Sequence, residues 1–260
     1  MMPLIAITRA VSPNINQCEL SFHDRHQIDV PTAIAQHEAY NKCLESLGAK
    51  VIALPAEPDL PDSVFVEDAA IVFDEVAVIP IMAAASRRDE PRTLVPALSR
   101  FRALEWLREP ATLDGGDVVV ADHRVFVGLT RRTNREAVNQ LGEILRPHGY
   151  IIKGVPVRDI LHLKSACCYL GNNALLINRK FTDASVFQPL DLIDVSEPEP
   201  AAANVLSVNG TVIAAASFPE TCSLLEQRGF RVRRVEVAEL QKAEAGVTCC
   251  SLVFSDSLSS

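Results

Sequence analysis

The residues of this chain best suited to chemistry are cysteine thiols, one imidazole and several carboxylates. Adjacent cysteines, Cys249 and Cys250, open a short apolar run near the end of the chain. Glu67 and Asp68 interrupt another apolar run, where two buried acids are costly unless cations pair with them. His162 stands between two leucines. These side chains are the candidates for nucleophile, proton carrier and cation-binding groups.

A site that combines Cys249, His162, Asp68 and Asp114 would suit a cationic, planar substrate. A free thiol, with a pKa of about 8.5, is mostly protonated at neutral pH and needs activation by a nearby cation. Histidine transfers protons near neutral pH, and carboxylates accept bidentate hydrogen bonds from a guanidinium group. We therefore expect thiolate attack on a guanidinium carbon, loss of an amine, and hydrolysis of the covalent intermediate to a ureido product.

The spacing of these residues indicates how the fold could bring them together. Asp68, Asp114, His162, Asn204 and Cys249 follow one another at intervals of 46, 48, 42 and 45 residues. Each begins a unit that reads as a hairpin, a helix and a strand, and a fixed period of this length is typical of radially repeated folds. We expect an α/β protein, a fivefold pseudosymmetric propeller whose ring is completed by the N-terminal strand. The first polar residue of each unit would project into a central channel.

The elements that build these units are read from hydrophobic periodicity and turn residues. Helices are predicted at residues 32–47, 93–107, 134–145 and 220–228. Strands are predicted at 4–8, 50–54, 64–73, 76–81, 118–121, 125–127, 150–155, 166–170, 174–177 and 231–235, with a hairpin turn at 209–210 and a last strand from 249. The irregular residues 11–31 have the character of a functional lid.

Composition narrows the class of protein. The chain has 260 residues, 48% of them hydrophobic and 22% charged, with a net charge of −8. These values are typical of a soluble globular protein and argue against nucleic-acid binding, which needs clustered basic residues. No apolar run has the length of a membrane span, and seven cysteines without a Cys-x-x-Cys motif favour free thiols in a reducing compartment. We expect a cytoplasmic protein with one domain, residues 1–254, and a C-terminal tail, 255–260.

Each candidate also has an ordinary structural interpretation. His162 is compatible with a core histidine, and Asp114 with a turn residue that caps its own loop. Arg87 and Arg132 are compatible with solvated loop positions or with clamps for the carboxylate of an amino-acid substrate. A non-enzymatic alternative is a metal site formed by His162 with cysteines of the 167–168 and 249–250 pairs, although structural zinc usually takes local ligand pairs such as Cys-x-x-Cys. A plain binding module for an arginine-like ligand is a further alternative.

Seven stretches, in order along nearly the whole chain, resemble the dimethylargininase (dimethylarginine dimethylaminohydrolase) family of the guanidine-modifying, amidinotransferase-like superfamily. They are residues 60–68, 86–88, 112–117, 126–134, 161–165, 202–204 and 248–251. The resemblance implies the fivefold α/β propeller called a pentein. It also implies a cofactor-free hydrolase of arginine or N-methylated arginine, without metal, whose partner is a small guanidino amino acid. Hydrolysis of another guanidino acid, and amidino transfer through the same intermediate, remain alternatives. Neither nucleic acid nor membrane is an expected partner, and a homodimer is left open.

The resemblance also implies residue roles. Cys249 corresponds to the nucleophile, His162 to the proton shuttle and Asp114 to the carboxylate that orients the histidine. Asp68 corresponds to the group that binds the guanidinium, with Glu67 beside it.

Further positions of the family correspond to substrate contacts. Asp62 would receive the α-amino group, and Arg87 and Arg132 the carboxylate. The carbonyl of Ala243 would line the site, and Leu20 would lie on the lid. The chain departs from the family at residues 80–85, PIMAAA, where an Arg-Pro-Gly sequence is usual; this changes the loop that presents Arg87.

Overall fold

Five three-stranded sheets surround a central channel in the computed structural model, which describes residues 3–256. In every sheet one edge strand faces the channel. This inner strand pairs antiparallel with the middle strand, and the middle strand pairs parallel with the outer strand. The predicted fivefold α/β propeller, or pentein, is therefore confirmed.

The elements follow one another in a repeating order. The chain starts with β1 (Leu4–Arg9), α1 (Val30–Ser46) and β2 (Ala49–Leu54). The first unit of the repeat, which Asp68 opens, contains β3 (Ile71–Val72), β4 (Val76–Ile79), α2 (Glu90–Leu98) and β5 (Ala103–Trp106). It is followed by β6 (Val118–Ala121), β7 (Arg124–Leu129), α3 (Arg135–Leu145) and β8 (Ile151–Pro156). Then come α4 (Leu163–Ala166), β9 (Cys167–Gly171), β10 (Ala174–Ile177) and β11 (Asp191–Asp194). The last elements are β12 (Val205–Val208), β13 (Thr211–Ala215), α5 (Pro219–Gln227), β14 (Arg231–Val235), α6 (Ala238–Gln241) and β15 (Leu252–Ser255).

The two ends of the chain close the ring. β15 pairs antiparallel with β1, which places Leu4 opposite Ser255, and the backbone N–H of Asp256 donates to the carbonyl of Pro3 at 2.8 Å. The fifth sheet is therefore assembled from both ends, as expected for an N-terminal strand that completes the ring. The last strand reaches one residue beyond the predicted domain end at 254, and residues 257–260 of the predicted tail lie outside the described residues.

Local sequence signals explain where several elements begin. Asp29 and Asn134 cap α1 and α3, because their side chains accept the backbone N–H groups of Thr32 and Ala137. Asn209 and Gly210 both have positive φ, 47° and 70°, as a two-residue hairpin turn requires. Apolar side chains pack between neighbouring sheets and beneath the helices. Within residues 3–256, no helix is both long and apolar enough to cross a membrane.

The predicted helix at 93–107 is wrong in its second half. Helix α2 ends at Leu98, and β5 occupies residues 103–106 as the third strand of its sheet. The apolar positions of α2 are buried as expected, but the side chains of β5 are mostly exposed. An edge strand of this kind shows no alternation of apolar and polar residues, so its sequence carries little strand signal.

Two further predictions differ from the structure. The residues that open each unit lie in turns before the first strand: β3 covers only 71–72 of the predicted 64–73, and Cys249 lies in a turn ahead of β15. The third unit has a four-residue 3-10 helix, Ala184–Phe187, in place of an outer α-helix. The backbone N–H and C=O groups of a turn can bond to a neighbouring unit, whereas those of a strand are already used in pairing within its own sheet.

Candidate active site

The turns that open the units meet at one end of the channel and are joined by their backbones. The N–H of Glu67 donates to the carbonyl of Cys249 at 3.1 Å, and the N–H of Gly115 donates to the carbonyl of Asp68 at 2.9 Å. The N–H of Gly116 donates to Asp68 Oδ1 at 3.0 Å. These bonds fix the first, second and fifth units relative to one another, so residues far apart in sequence share one rigid site.

His162 lies buried between two carboxylates. Its Nε2 is 3.2 Å from Asp114 Oδ2, and its Nδ1 is 3.7 Å from Asp68 Oδ1. Burial alone would lower the pKa of His162, but the charges of Asp68, Asp117 and Asp114 and the Asp114 hydrogen bond outweigh it and raise the pKa to about 9. The ring therefore carries its proton at neutral pH. Because Nε2 is engaged by Asp114, Nδ1 is the nitrogen that faces the Asp68 side of the site.

Asp117 stabilises the turn that carries His162. It accepts hydroxyl hydrogen bonds from Thr130 and Thr133, at 2.7 and 2.6 Å, and the backbone N–H of Leu163 at 2.9 Å. Burial raises the pKa of Asp117 to about 6, with His162 acting in the opposite direction. Asp117 thus holds the turn that carries His162, a role that the Asp-Gly-Gly-Asp motif does not reveal.

Asp68 is paired with Arg87, which is itself held by Glu90. Arg87 NH1 is 2.9 Å from Asp68 Oδ2, and its Nε and NH2 are each 2.9 Å from Glu90. Burial raises the pKa of Asp68, but the charges of His162 and Arg87 bring it below its usual value. The guanidinium of Arg87 is therefore buried between Asp68 and Glu90 and forms ion pairs with both.

The sulfur of Cys249 accepts one backbone hydrogen bond, from the N–H of Gly246 at 3.2 Å. The residue is 9% exposed. Burial, followed by the charges of Glu67 and Asp68, raises the pKa of this thiol well above its usual value. The thiol is therefore neutral at rest, and a cation placed between it and the carboxylates would favour its ionisation. Cys250 is buried in the core.

Glu67 lies between the site and the cavity in the channel. Its Oε1 accepts from Lys164 Nζ at 2.6 Å, and its Oε2 accepts from Thr248 Oγ1 at 2.5 Å. On the far side of this pair lies a cavity of about 420 Å³ lined by the first strands of the five sheets. Glu67 therefore sits beside Cys249 and Asp68, but its side chain is bonded to protein groups.

The loop that precedes α1 covers the site and is fastened by Glu244. Glu244 Oε1 accepts the backbone N–H groups of Ser21, Phe22 and His23 at 2.9, 2.5 and 2.6 Å. Leu20 packs against the apolar cluster that includes Cys249 and Ala243.

Two predicted substrate residues also touch this loop. Asp62 accepts the N–H of Glu19 at 3.3 and 3.1 Å to its two oxygens. Arg132 lies 3.5 Å from Asp114 Oδ2 and donates to Ser21 Oγ at 3.4 Å. Asp62 and Arg132 therefore lie where the loop meets the cluster of Asp68, Asp114 and His162.

The metal-binding alternative requires a different set of residues from those that meet. Within residues 3–256, the group whose ligand atoms approach within 4.8 Å of one another is Asp68, Asp114 and His162, without a thiol. Cys167 and Cys168 are buried in the core. This geometry does not fit the proposed site of histidine and cysteine ligands.

Sequence reasoning missed several residues that hold the site together. Glu90 stands three residues after Arg87, a spacing at which side chains on a helical turn interact, so a local signal existed for it. Thr248 and Glu244 carry no such signal, because their partners lie on distant segments. The sequence identifies Asn204 as the start of a unit and as part of a family-like stretch but assigns it no role, and in the structure its side chain contacts Thr248.

Comparisons with known proteins identify relatives of the whole chain. A family model described as N,N dimethylarginine dimethylhydrolase, eukaryotic, matches residues 5–250. The N(G),N(G)-dimethylarginine dimethylaminohydrolase of Pseudomonas aeruginosa is 35% identical over 228 residues, which cover 87% of this chain and 90% of the relative. The protein of the same name from Streptomyces coelicolor is 36% identical over 249 residues, covering 95% of each chain.

Solved structures share the architecture. A mutant of the Pseudomonas aeruginosa protein complexed with citrulline has a TM-score of 0.93 at 31% identity, covering 98% of this chain and 100% of that one. The N-terminal domain of ArgZ, a cyanobacterial arginine dihydrolase, has a TM-score of 0.83 at 17% identity, covering 97% and 98%. At that lower identity the similarity concerns the fold alone.

Proposed function

The chain belongs to the dimethylarginine dimethylaminohydrolase family, and we propose that Cys249 is the nucleophile of its hydrolase activity. The protein is a hydrolase of the guanidino group of arginine or N-methylated arginine, giving citrulline and an amine. The position of His162 between Asp68 and Asp114, 3.7 and 3.2 Å away, supports the proposed mechanism most directly. A protonated imidazole at this position would lie beside the carboxylate that we propose to hold the guanidinium.

The first step is ionisation of the thiol by the substrate itself. A guanidinium group bound at Asp68, with Glu67 beside it, would place a positive charge next to Cys249. That charge favours the thiolate over the neutral thiol, and the displaced proton leaves to solvent. The thiolate then attacks the guanidinium carbon and forms a tetrahedral adduct.

The second step is loss of the amine. His162 donates its proton from Nδ1 to the leaving nitrogen as the carbon–nitrogen bond breaks, which leaves an S-alkylthiouronium on Cys249. Asp114 holds Nε2 throughout and keeps the ring oriented. The neutral imidazole then takes a proton from water, which attacks the same carbon. Expulsion of the thiolate gives citrulline, and these steps use only side chains and water.

The amino-acid end of the substrate would be recognised at the covering loop. Asp62 would bind the α-amino group, and Arg87 and Arg132 the carboxylate, with the Ala243 carbonyl and Leu20 completing the wall. Arg132 already joins Asp114 to the loop through Ser21, which supports a clamp at that position. Arg87 has donors on NH1 and NH2 beyond the three that Asp68 and Glu90 engage.

The test is citrulline formation from a panel of arginine, monomethylarginine, asymmetric dimethylarginine and shorter guanidino acids. Ranking kcat/KM across the panel identifies the substrate that this chain prefers. Cys249→Ser should abolish turnover, whereas Cys250→Ser, the adjacent buried thiol, should retain turnover per folded molecule. Normal turnover by Cys249→Ser would refute the assignment. A new guanidino product when acceptor amines are added would indicate amidino transfer in place of hydrolysis.

We propose one catalytic domain over residues 1–254, whose last strand extends to Ser255, and a cytoplasmic location. The oligomeric state stays open between a monomer and a homodimer. The seven cysteines are free, which supports a reducing compartment. Cell fractionation and light scattering of the purified protein test the location and the oligomeric state.

A further inference from the structure

Asn204 opens the fourth unit of the propeller, at the position where the other units supply Asp68, Asp114, His162 and Cys249. The mechanism above gives it no part. Its side chain is nevertheless buried, 8% exposed, and it points into the turn that carries the nucleophile. The contacts of this one amide show how that turn is held.

The Asn204 amide grips Thr248 with both of its ends. Oδ1 accepts the backbone N–H of Thr248 at 3.0 Å, and Nδ2 donates to Thr248 Oγ1 at 2.9 Å. Nδ2 also donates to the carbonyl of Lys164 at 3.3 Å. Thr248 Oγ1 in turn donates to Glu67. The residue before the nucleophile is therefore fixed in position and orientation by a two-point contact.

The same amide packs against Gly246. A Cβ atom at position 246 would lie 2.2 Å from Asn204 Oδ1 and 2.3 Å from its Cγ, so the amide occupies the space where a side chain would stand. Gly246 is the residue whose N–H donates to the Cys249 sulfur. One side chain thus contacts both Gly246, which donates this hydrogen bond, and Thr248, which directly precedes the residue that accepts it.

We propose that Asn204 is a positioning residue, which aims the N–H of Gly246 at the Cys249 sulfur and holds the sulfur for attack. This inference rests on the proposed role of Cys249 as nucleophile. A hydrogen bond to a thiolate stabilises the charged form. Loss of the Asn204 contacts therefore weakens the nucleophile without removing a group that contacts the substrate. The expected defect lies in kcat more than in KM.

The variant that tests the proposal is Asn204→Ala, with Asn178→Ala as the matched control. Asn178 is similarly buried, 6% exposed, and its amide is also bonded at both ends, to the carbonyl of Pro200 and the N–H of Lys180. These contacts lie outside the nucleophile turn. Melting temperatures of both variants separate a loss of stability from a loss of positioning.

Two measurements are made on the full chain. Steady-state kinetics should show kcat of Asn204→Ala lower by about 10- to 100-fold, with KM changed by less than about threefold, since misplacement of a reacting atom mainly affects the chemical step. Alkylation of Cys249 by iodoacetamide, followed by mass spectrometry across a pH series, should be about 10-fold slower at each pH below the thiol pKa. Asn178→Ala should match the wild type in both.

Opposite outcomes overturn the inference. It fails if Asn204→Ala keeps its kcat and its alkylation profile, or if Asn178→Ala shows the same losses. If Asn204→Ala does not fold, Thr248→Val and Thr248→Ser take its place: only valine removes the hydroxyl that meets the amide, so valine alone should slow alkylation. Alkylation needs no substrate, so a wild type that yields no citrulline would refute the proposed function and still leave the role of Asn204 to be measured.

Discussion

Gly116→Ala adds a single methyl group next to two proposed catalytic groups, Asp68 and His162. A Cβ atom at this position would lie 2.7 Å from Asp68 Oδ1, 2.7 Å from His162 Nδ1 and 2.9 Å from His162 Cγ. Carbon contacts are normally about 3.5 Å or more, so the ring and the carboxylate must each move by about 0.8 Å. The backbone N–H that donates to Asp68 is retained in the variant, and the substitution therefore tests position alone.

The expected result is a fall in kcat/KM of about 10- to 100-fold, because a misplacement of about 1 Å at reacting groups can cost about 100-fold. Overpacking of a tight site should also cost about 1–3 kcal/mol of unfolding free energy. Citrulline production and thermal unfolding measure the two effects separately.

Gly154→Ala is the matched control. Its added Cβ would meet nothing closer than Leu129 Cδ1 at 3.6 Å, so its kcat/KM should remain within about twofold of the wild type. If Gly116→Ala is as active as Gly154→Ala, His162 and Asp68 do not act from the positions described here.

Two more predictions concern charge and the covering loop. Turnover should fall as pH rises through about 9, because the raised pKa of His162 keeps its proton available below that value; the same proton stabilises the fold fully below about 6.5 and progressively less up to about 9. In Asp114→Asn the upper limb of the pH–kcat profile should move to lower pH, and an unmoved limb would contradict the assignment. Glu244→Ala, which removes the acceptor of three loop N–H groups, should raise KM about 10-fold and change kcat less, since a loosened loop mainly weakens substrate binding. Glu226→Ala removes an exposed carboxylate that pairs with the exposed Arg234 and should leave KM unchanged; equal KM values for the two variants would rule out a role of Glu244 in fastening the loop.

The regular spacing of the five residues that open the units was sufficient to predict the architecture. Five polar positions at near-equal intervals indicated five units, and the hairpins and outer helices of most units follow from ordinary periodicity and turn signals. The strand β5 was missed because its side chains are mostly exposed on a sheet edge, and the third unit lacks the outer α-helix that its neighbours have.

The site was predictable as a list of residues but not as a set of bonds. Cys249, His162, Asp68 and Asp114 stand out by type and context, and the structure brings His162 within reach of both aspartates. The grip of Asn204 on Thr248 and of Glu244 on the loop joins positions 44 and more than 200 residues apart. No local pattern encodes such pairs, because their geometry exists only once the ring has closed.

Hydrogen bonds between the first and last strands close the ring, so the fold does not depend on the chain ends being at this particular point of the ring. Pro3 and Asp256 are already in contact, and exposed hairpin turns such as the one at Asn209 are the places where new ends are best tolerated. A circular permutant that joins the old ends and opens at that turn should keep every sheet pairing. It would also bring the nucleophile and the covering loop onto one continuous segment, so that both could be varied together in a single short cassette.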